Sequence, residues 1–202
     1  MDIELLKKKV QPDHTALLVI DMQKDYCCEG GTFDRRGFDI KPAQELAPRL
    51  NQFLEKARRA LKFVIHLKMT KIPGLLSEAM QEQYARHGVD RKYDPAYGDF
   101  YGVVPQEGDI VISKYRYSGF VSTYLDQLLR ANRVETLIIT GITTSVCVES
   151  TARDAFMRDY RVVVPRDLTE GVSPEAKEWS LKNIDLFFGE VVESKDLMNS
   201  WL

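Results

Sequence analysis

Short apolar runs rich in β-branched residues recur along the chain, separated by polar segments of helical period. The runs cover 16–20 (Ala-Leu-Leu-Val-Ile), 63–67, 110–112, 137–140 and 161–164, with a weaker pair at Val191-Val192. Continuous apolar runs of this length, without polar alternation, fit strands covered on both faces of a parallel sheet. Between the first two, residues 43–60 place Leu46, Leu50, Phe53, Leu54 and Ala57 at helical spacing. Stretches 123–130, 146–158 and 174–188 predict further helices. Strand alternating with helix predicts an α/β class: a three-layer α/β/α, doubly wound fold around a mainly parallel, six-stranded sheet.

One stretch breaks the rhythm. Residues 70–108 carry Pro73-Gly74, His87-Gly88, Asp94-Pro95, Tyr97-Gly98 and Tyr101-Gly102, turn signals interleaved with tyrosines. A helix over 75–84 fits inside it. Connections of this length are more often functional than idle, so the excursion is expected to act as a lid or a subunit contact. Repeats, low-complexity tracts and interdomain linkers are absent, which predicts a single domain over 1–202.

Composition narrows the partners. Lys and Arg number 28 against 30 Asp and Glu, giving a formal charge of −2 with both signs interspersed. No broad field invites nucleic acid or a membrane surface. No apolar run approaches the roughly 20 residues that span a bilayer, and the first ten residues lack the apolar stretch of a signal peptide. Cys27, Cys28 and Cys147 are odd in number, and adjacent cysteines rarely bridge each other. A reducing, cytoplasmic location is expected.

Candidate chemistry gathers where the predicted strands end, the side on which open α/β sheets bind ligands. The first strand runs into Asp21, the third into Lys114, and the fourth through Gly141 into Thr143, Thr144, Ser145 and Cys147. Singly, each has a plain structural reading: an N-cap, a solvated lysine, a buried thiol. Together, if the strands are neighbours, they bring a base, a cation and a nucleophile to one rim. Cys147 is expected in the first turn of a helix, whose dipole and a nearby Lys114 would lower the thiol pKa. Free N–H groups of that turn could receive an oxyanion, and Asp21 could carry the proton.

Three motifs give the chain a family resemblance: Val-Ile-Asp-Met-Gln at 19–23, Lys-Tyr-Arg-Tyr-Ser-Gly-Phe at 114–120, and Thr-Gly-Ile-Thr-Thr-Ser-Val-Cys-Val-Glu-Ser-Thr at 140–151. By these it resembles the isochorismatase-like cysteine hydrolases over nearly its whole length. The resemblance implies a triad of Asp21, Lys114 and Cys147. It also implies a cis peptide between Ile142 and Thr143 and an oxyanion hole from the N–H groups of Thr143 and Cys147. The expected reaction is cleavage of a C–N amide or ureido bond of a small molecule through a thioester or carbamoyl-enzyme, releasing ammonia. True isochorismatases, which cleave a vinyl ether, lack the cysteine present here. The C-terminal half looks most like the ureidoacrylate amidohydrolases. Another small substrate, such as a nicotinamide-like amide, and an idle binding protein of the same fold are the alternatives.

Gln23, Tyr26, Phe33, Arg116, Tyr117 and Phe120 are expected to bind substrate, with Arg116 as a clamp for a carboxylate. His66-Leu67-Lys68 stands where nicotinamidases carry an Asp-x-His metal element. With only His14, His66 and His87 available, neither metal nor cofactor is expected. Cys27 and Cys28 are expected to be bystanders. Relatives of this kind are usually homo-oligomers, for which the tyrosine-rich excursion and Trp201 offer apolar surface.

Overall fold

In the computed structural model, which describes residues 3–72, 74–88 and 94–201, the apolar runs become neighbouring parallel strands. They are β1 (Thr15–Ile20), β2 (Phe63–Met69), β3 (Ile110–Lys114), β4 (Thr136–Ile142), β5 (Arg161–Pro165) and β7 (Glu190–Val192), in the order β3-β2-β1-β4-β5-β7. A seventh, β6 (Thr169–Glu170), pairs with the end of β4 and was not legible, since two residues carry no period. Neighbouring residues of β1 face opposite ways. Leu17 and Val19 pack with the first core layer, and Ala16, Leu18 and Ile20 with the second.

Helices cover both faces. On one lie α1 (Ile3–Lys9), the long α4 (Lys41–Ala60) and α9 (Ser194–Ser200). On the other lie α6 (Leu125–Ala131), α7 (Glu149–Phe156) and α8 (Pro174–Phe187). Two one-turn helices, α2 (Lys24–Cys27) and α3 (Thr32–Arg35), follow β1, and α5 (Glu78–Arg86) lies within the excursion. The predicted helices begin and end within a few residues of these bounds, except that 146–158 splits into a π-helical turn, Thr144–Val148, and α7. Trp201 does not offer an outward face. Its ring packs on Phe53 of α4 at 5.4 Å between centroids.

The chain builds β1, β2 and β3 in one direction, then crosses β1 to place β4 on its other side. That reversal opens a crevice between the carboxyl ends of β1 and β4, where such sheets bind ligands.

A buried charge cluster pins the other half of the sheet. Asp109, just before β3, accepts hydrogen bonds from Arg58 of α4 at 2.6 Å and from the Gln106 N–H at 2.9 Å. His66 Nε2 lies 3.1 Å from the same carboxylate, so it carries the proton. Burial lowers the His66 pKa, with Asp109 opposing. Its folded value therefore lies below the unfolded one, and this position costs stability as pH falls below about 6.5. Asp109→Ala strands both partners inside and is expected to destabilise the fold by about 3 kcal/mol, Arg58 keeping some access to water. A urea midpoint unchanged from wild type would remove the cluster from any account of stability.

Candidate active site

At the end of β1 the backbone turns at Asp21 with φ of 51°, a left-handed conformation that swings the buried carboxylate into the crevice. Across from Ile20, Gly141 in β4 has φ of 103° and sits so close that any Cβ would collide with the Ile20 carbonyl. Glycine is required there, and it lets β4 turn at the level where β1 releases Asp21. The Ile142–Thr143 peptide is cis, at the predicted position.

The π-helical turn follows. The Thr143 carbonyl accepts from both Val146 N–H (3.0 Å) and Val148 N–H (3.1 Å). Such turns are frequent at functional sites. Ser180 of α8 donates to the Thr144 carbonyl at 3.1 Å. Thr151 donates to the Cys147 carbonyl at 2.7 Å and accepts from the Gly119 N–H at 3.1 Å, tying this turn to the loop after β3. Cys147 is thereby held at the crevice floor.

Lys114 Nζ reaches Asp21 Oδ2 at 2.8 Å, with both side chains buried. β3 is not a neighbour of β1, as the simplest sequence argument required; β2 lies between them. The lysine stem spans the end of β2, where the Met69 N–H donates to Asp21 Oδ1 at 3.1 Å. Burial pushes the Lys114 pKa down, but Asp21 and then Cys147 more than reverse this, so the ammonium is held charged. Cys147 interacts with both groups. Its thiol behaves otherwise than the helix-dipole argument led one to expect. Burial raises its pKa most, Lys114 opposes, and Asp21 adds to the rise, so the resting sulfur is a thiol.

Above this floor lies a cavity of about 220 Å³, below the roughly 300 Å³ at which pockets for drug-sized ligands begin and so suited to a smaller molecule. Asp21, Cys147, Ile142 and Thr143 border it, and of the predicted contacts Tyr26, Phe33 and Tyr117 line it. Gln23, Arg116 and Phe120 do not. The buried Gln23 amide spends its bonds on Met69 and on the Gly98 carbonyl, bracing the crevice from behind. Arg116 donates to the Leu75 and Tyr115 carbonyls, holding the excursion rather than a ligand. Phe120 stacks on Tyr160 in the second core layer.

Of the lining residues that were missed, three carry polar chemistry towards the ligand: Arg36, Lys71 and Tyr84. The first looked like one more surface charge, and the others belong to the excursion, whose irregular sequence gives no facing direction. Tyr84 bonds Tyr117, so α5 roofs the cavity. Cys27 is buried with its thiol pushed up to about 12 by desolvation, and neither it nor Cys28 lines the cavity. Among the described residues, no three His, Cys, Asp or Glu side chains converge as metal ligands, and no helix is long and apolar enough to cross a membrane.

Comparison with known proteins places this geometry. The family described as the Isochorismatase domain matches residues 15–196. The chain is 38% identical over 211 residues to a ureidoacrylate amidohydrolase of Caulobacter vibrioides, covering 95% of this chain and 93% of that one. Its fold is similar to a cysteine hydrolase from Pseudomonas syringae (29% identity, TM-score 0.83, covering 95% of this chain and 94% of that one). It is also similar to the N-carbamoylsarcosine amidase of Thermoplasma acidophilum (27% identity, TM-score 0.70, covering 89% and 96%). The chain belongs to the isochorismatase family of hydrolases.

Proposed function

We propose that this protein hydrolyses a C–N amide or ureido bond of a small molecule and releases ammonia, with Cys147 as nucleophile. The observation that carries the reading is the meeting of Asp21 and Cys147 at the floor of one small cavity, with Lys114 buried behind them, 2.8 Å from Asp21. A neutral thiol needs a base beside it, and Asp21 is that base. Asp21 takes the Sγ proton as sulfur attacks the carbonyl carbon. The N–H groups of Thr143 and Cys147, bordering the same cavity, receive the oxyanion. Collapse breaks the C–N bond, and the proton on Asp21 leaves with the nitrogen as ammonia. Water, deprotonated by Asp21, then attacks the thioester or carbamoyl-enzyme and returns sulfur to its thiol. Lys114 holds the carboxylate in place and balances the charge of the sulfur as it ionises.

The similarity to a ureidoacrylate amidohydrolase and an N-carbamoylsarcosine amidase supports a ureido or carbamoyl substrate. We read the chain as one domain, because the two core layers share a single sheet. Three unpaired cysteines suit a cytoplasmic protein. The outward apolar surface of Phe156, Met157, Leu186 and Phe187 suits a homo-oligomer. The test is ammonia release by the purified protein from ureidoacrylate, N-carbamoyl amino acids, biuret and nicotinamide. Release from a ureido or carbamoyl compound is expected; silence across the panel overturns the hydrolase reading in favour of an idle binding protein.

A further inference from the structure

Among the described residues, the charges around the cavity leave a single guanidinium over. Three charged side chains of those residues line it: Asp21, Lys71 and Arg36. Asp21 is matched by Lys114. Lys71 is matched by Asp25 at 2.8 Å, a carboxylate fixed on its other oxygen by the Thr32 N–H and hydroxyl. Burial raises the Asp25 pKa, but Lys71 and Thr32 together bring it below the ordinary value, so this pair is charged and neutral overall. Arg36 has no such partner among the described residues. No carboxylate of theirs lies within ion-pairing distance of it, and its guanidinium rests over the Phe38 ring at 4.7 Å. The carboxylates flanking it in sequence are engaged elsewhere: Asp34 accepts from the Gly30 N–H and Asp39 from the Lys41 N–H. Arg35, beside it, turns back onto the Gly30 carbonyl.

An aromatic wall leads towards that cation. Tyr26 packs on Phe33 at 4.9 Å between centroids, and Phe33 meets Phe38 edge-on at 5.6 Å. Tyr26 lines the cavity together with Asp21 and Cys147, so the wall starts at the reacting end. It ends where Arg36 lies against Phe38 at the exposed rim.

We propose that Arg36 is the specificity-determining residue of this site and that it takes the carboxylate of a small acid. The acid's amide or ureido carbonyl then sits at Cys147, and a flat or apolar spacer lies along the aromatic wall. A guanidinium is suited to this because its paired N–H groups match a carboxylate and its face already stacks on a ring. Neutral amides would fill the same cavity and leave the positive charge unanswered. The inference deepens the proposed function and rests on it only for which end of the ligand faces Cys147.

The test is binding, read by calorimetry on the Cys147→Ala protein so that no turnover interferes. The probes are N-carbamoylglycine and N-carbamoyl-β-alanine, each against its neutral carboxamide. At least one acid is expected to bind about tenfold or more tighter than its carboxamide. Arg36→Met is expected to abolish that preference while leaving carboxamide binding within about twofold, and Arg36→Lys to keep part of it. Arg36 is exposed, and circular dichroism will show that the variants fold. Equal binding of acid and carboxamide, a preference that survives Arg36→Met, or no binding of any probe overturns the assignment. The two readings fail separately. Arg36-dependent binding without ammonia release from the intact enzyme sinks the hydrolase and keeps the anion site, whereas ammonia release indifferent to Arg36 does the reverse.

Discussion

Cys147→Ala is expected to lower ammonia release by at least about 10⁴-fold while the protein keeps its fold. Among the described residues, no other thiol lines the cavity to replace the sulfur. Cys27 and Cys28 lie outside the lining, and burial holds the Cys27 thiol up at about 12. Removing one sulfur atom from a buried position costs about 1 kcal/mol, too little to unfold a domain with two complete core layers. A loss of activity with an unfolding midpoint lowered by no more than that cost therefore isolates the nucleophile. Residual turnover above about a hundredth of wild type would transfer the chemistry to another group. The same cysteine has a second signature in the intact enzyme. Because burial and Asp21 raise its pKa, its alkylation by iodoacetamide should be slow near neutrality and still climbing past pH 9. A plateau below pH 7 would instead mean a resting thiolate, for which Asp21 is not needed as base.

That contrast shows where the sequence stops informing. The apolar runs report burial directly, so six strands and the turn residues at their ends could be read from one dimension. The spacing of Gly141, Thr143 and Cys147 is likewise local, and the structure keeps it in one β4-to-helix turn. What was lost depends on distances between segments. Lys114 meets Asp21 only because its stem crosses the end of β2. The thiol pKa depends on how much of the protein closes over Cys147, and a helix dipole read from sequence cannot weigh that. Gln23 and Arg116 sit beside catalytic candidates in sequence, yet backbone carbonyls claim their side chains. Arg36 sat unremarked among surface charges, because its lack of a carboxylate among the described residues appears only when Asp34 and Asp39 are seen to be engaged elsewhere.

Asp21→Asn should separate formation of the nucleophile from its use. The Asp21 charge raises the Cys147 pKa and the Lys114 charge lowers it. With Asp21 neutral, only the lowering partner remains, so alkylation at pH 7 should become faster than in wild type. Turnover should nevertheless fall by about 10²–10⁴-fold, because no group is left to carry a proton to the departing nitrogen or to take one from water. More thiolate with less product is the pattern expected of a proton carrier. A purely structural Asp21 predicts that both rates fall together. The opposite half of the pair gives the control. Lys114→Met leaves the Asp21 carboxylate, only 2% exposed, without its cation and should destabilise the fold by about 3–5 kcal/mol. Adding Asp21→Asn to that variant should recover most of the stability and none of the activity, since the buried charge is gone but the proton carrier is gone with it. If the double variant stays as unstable as Lys114→Met, the lysine stem supports the crevice through packing across β2, and the charge pair is secondary to it.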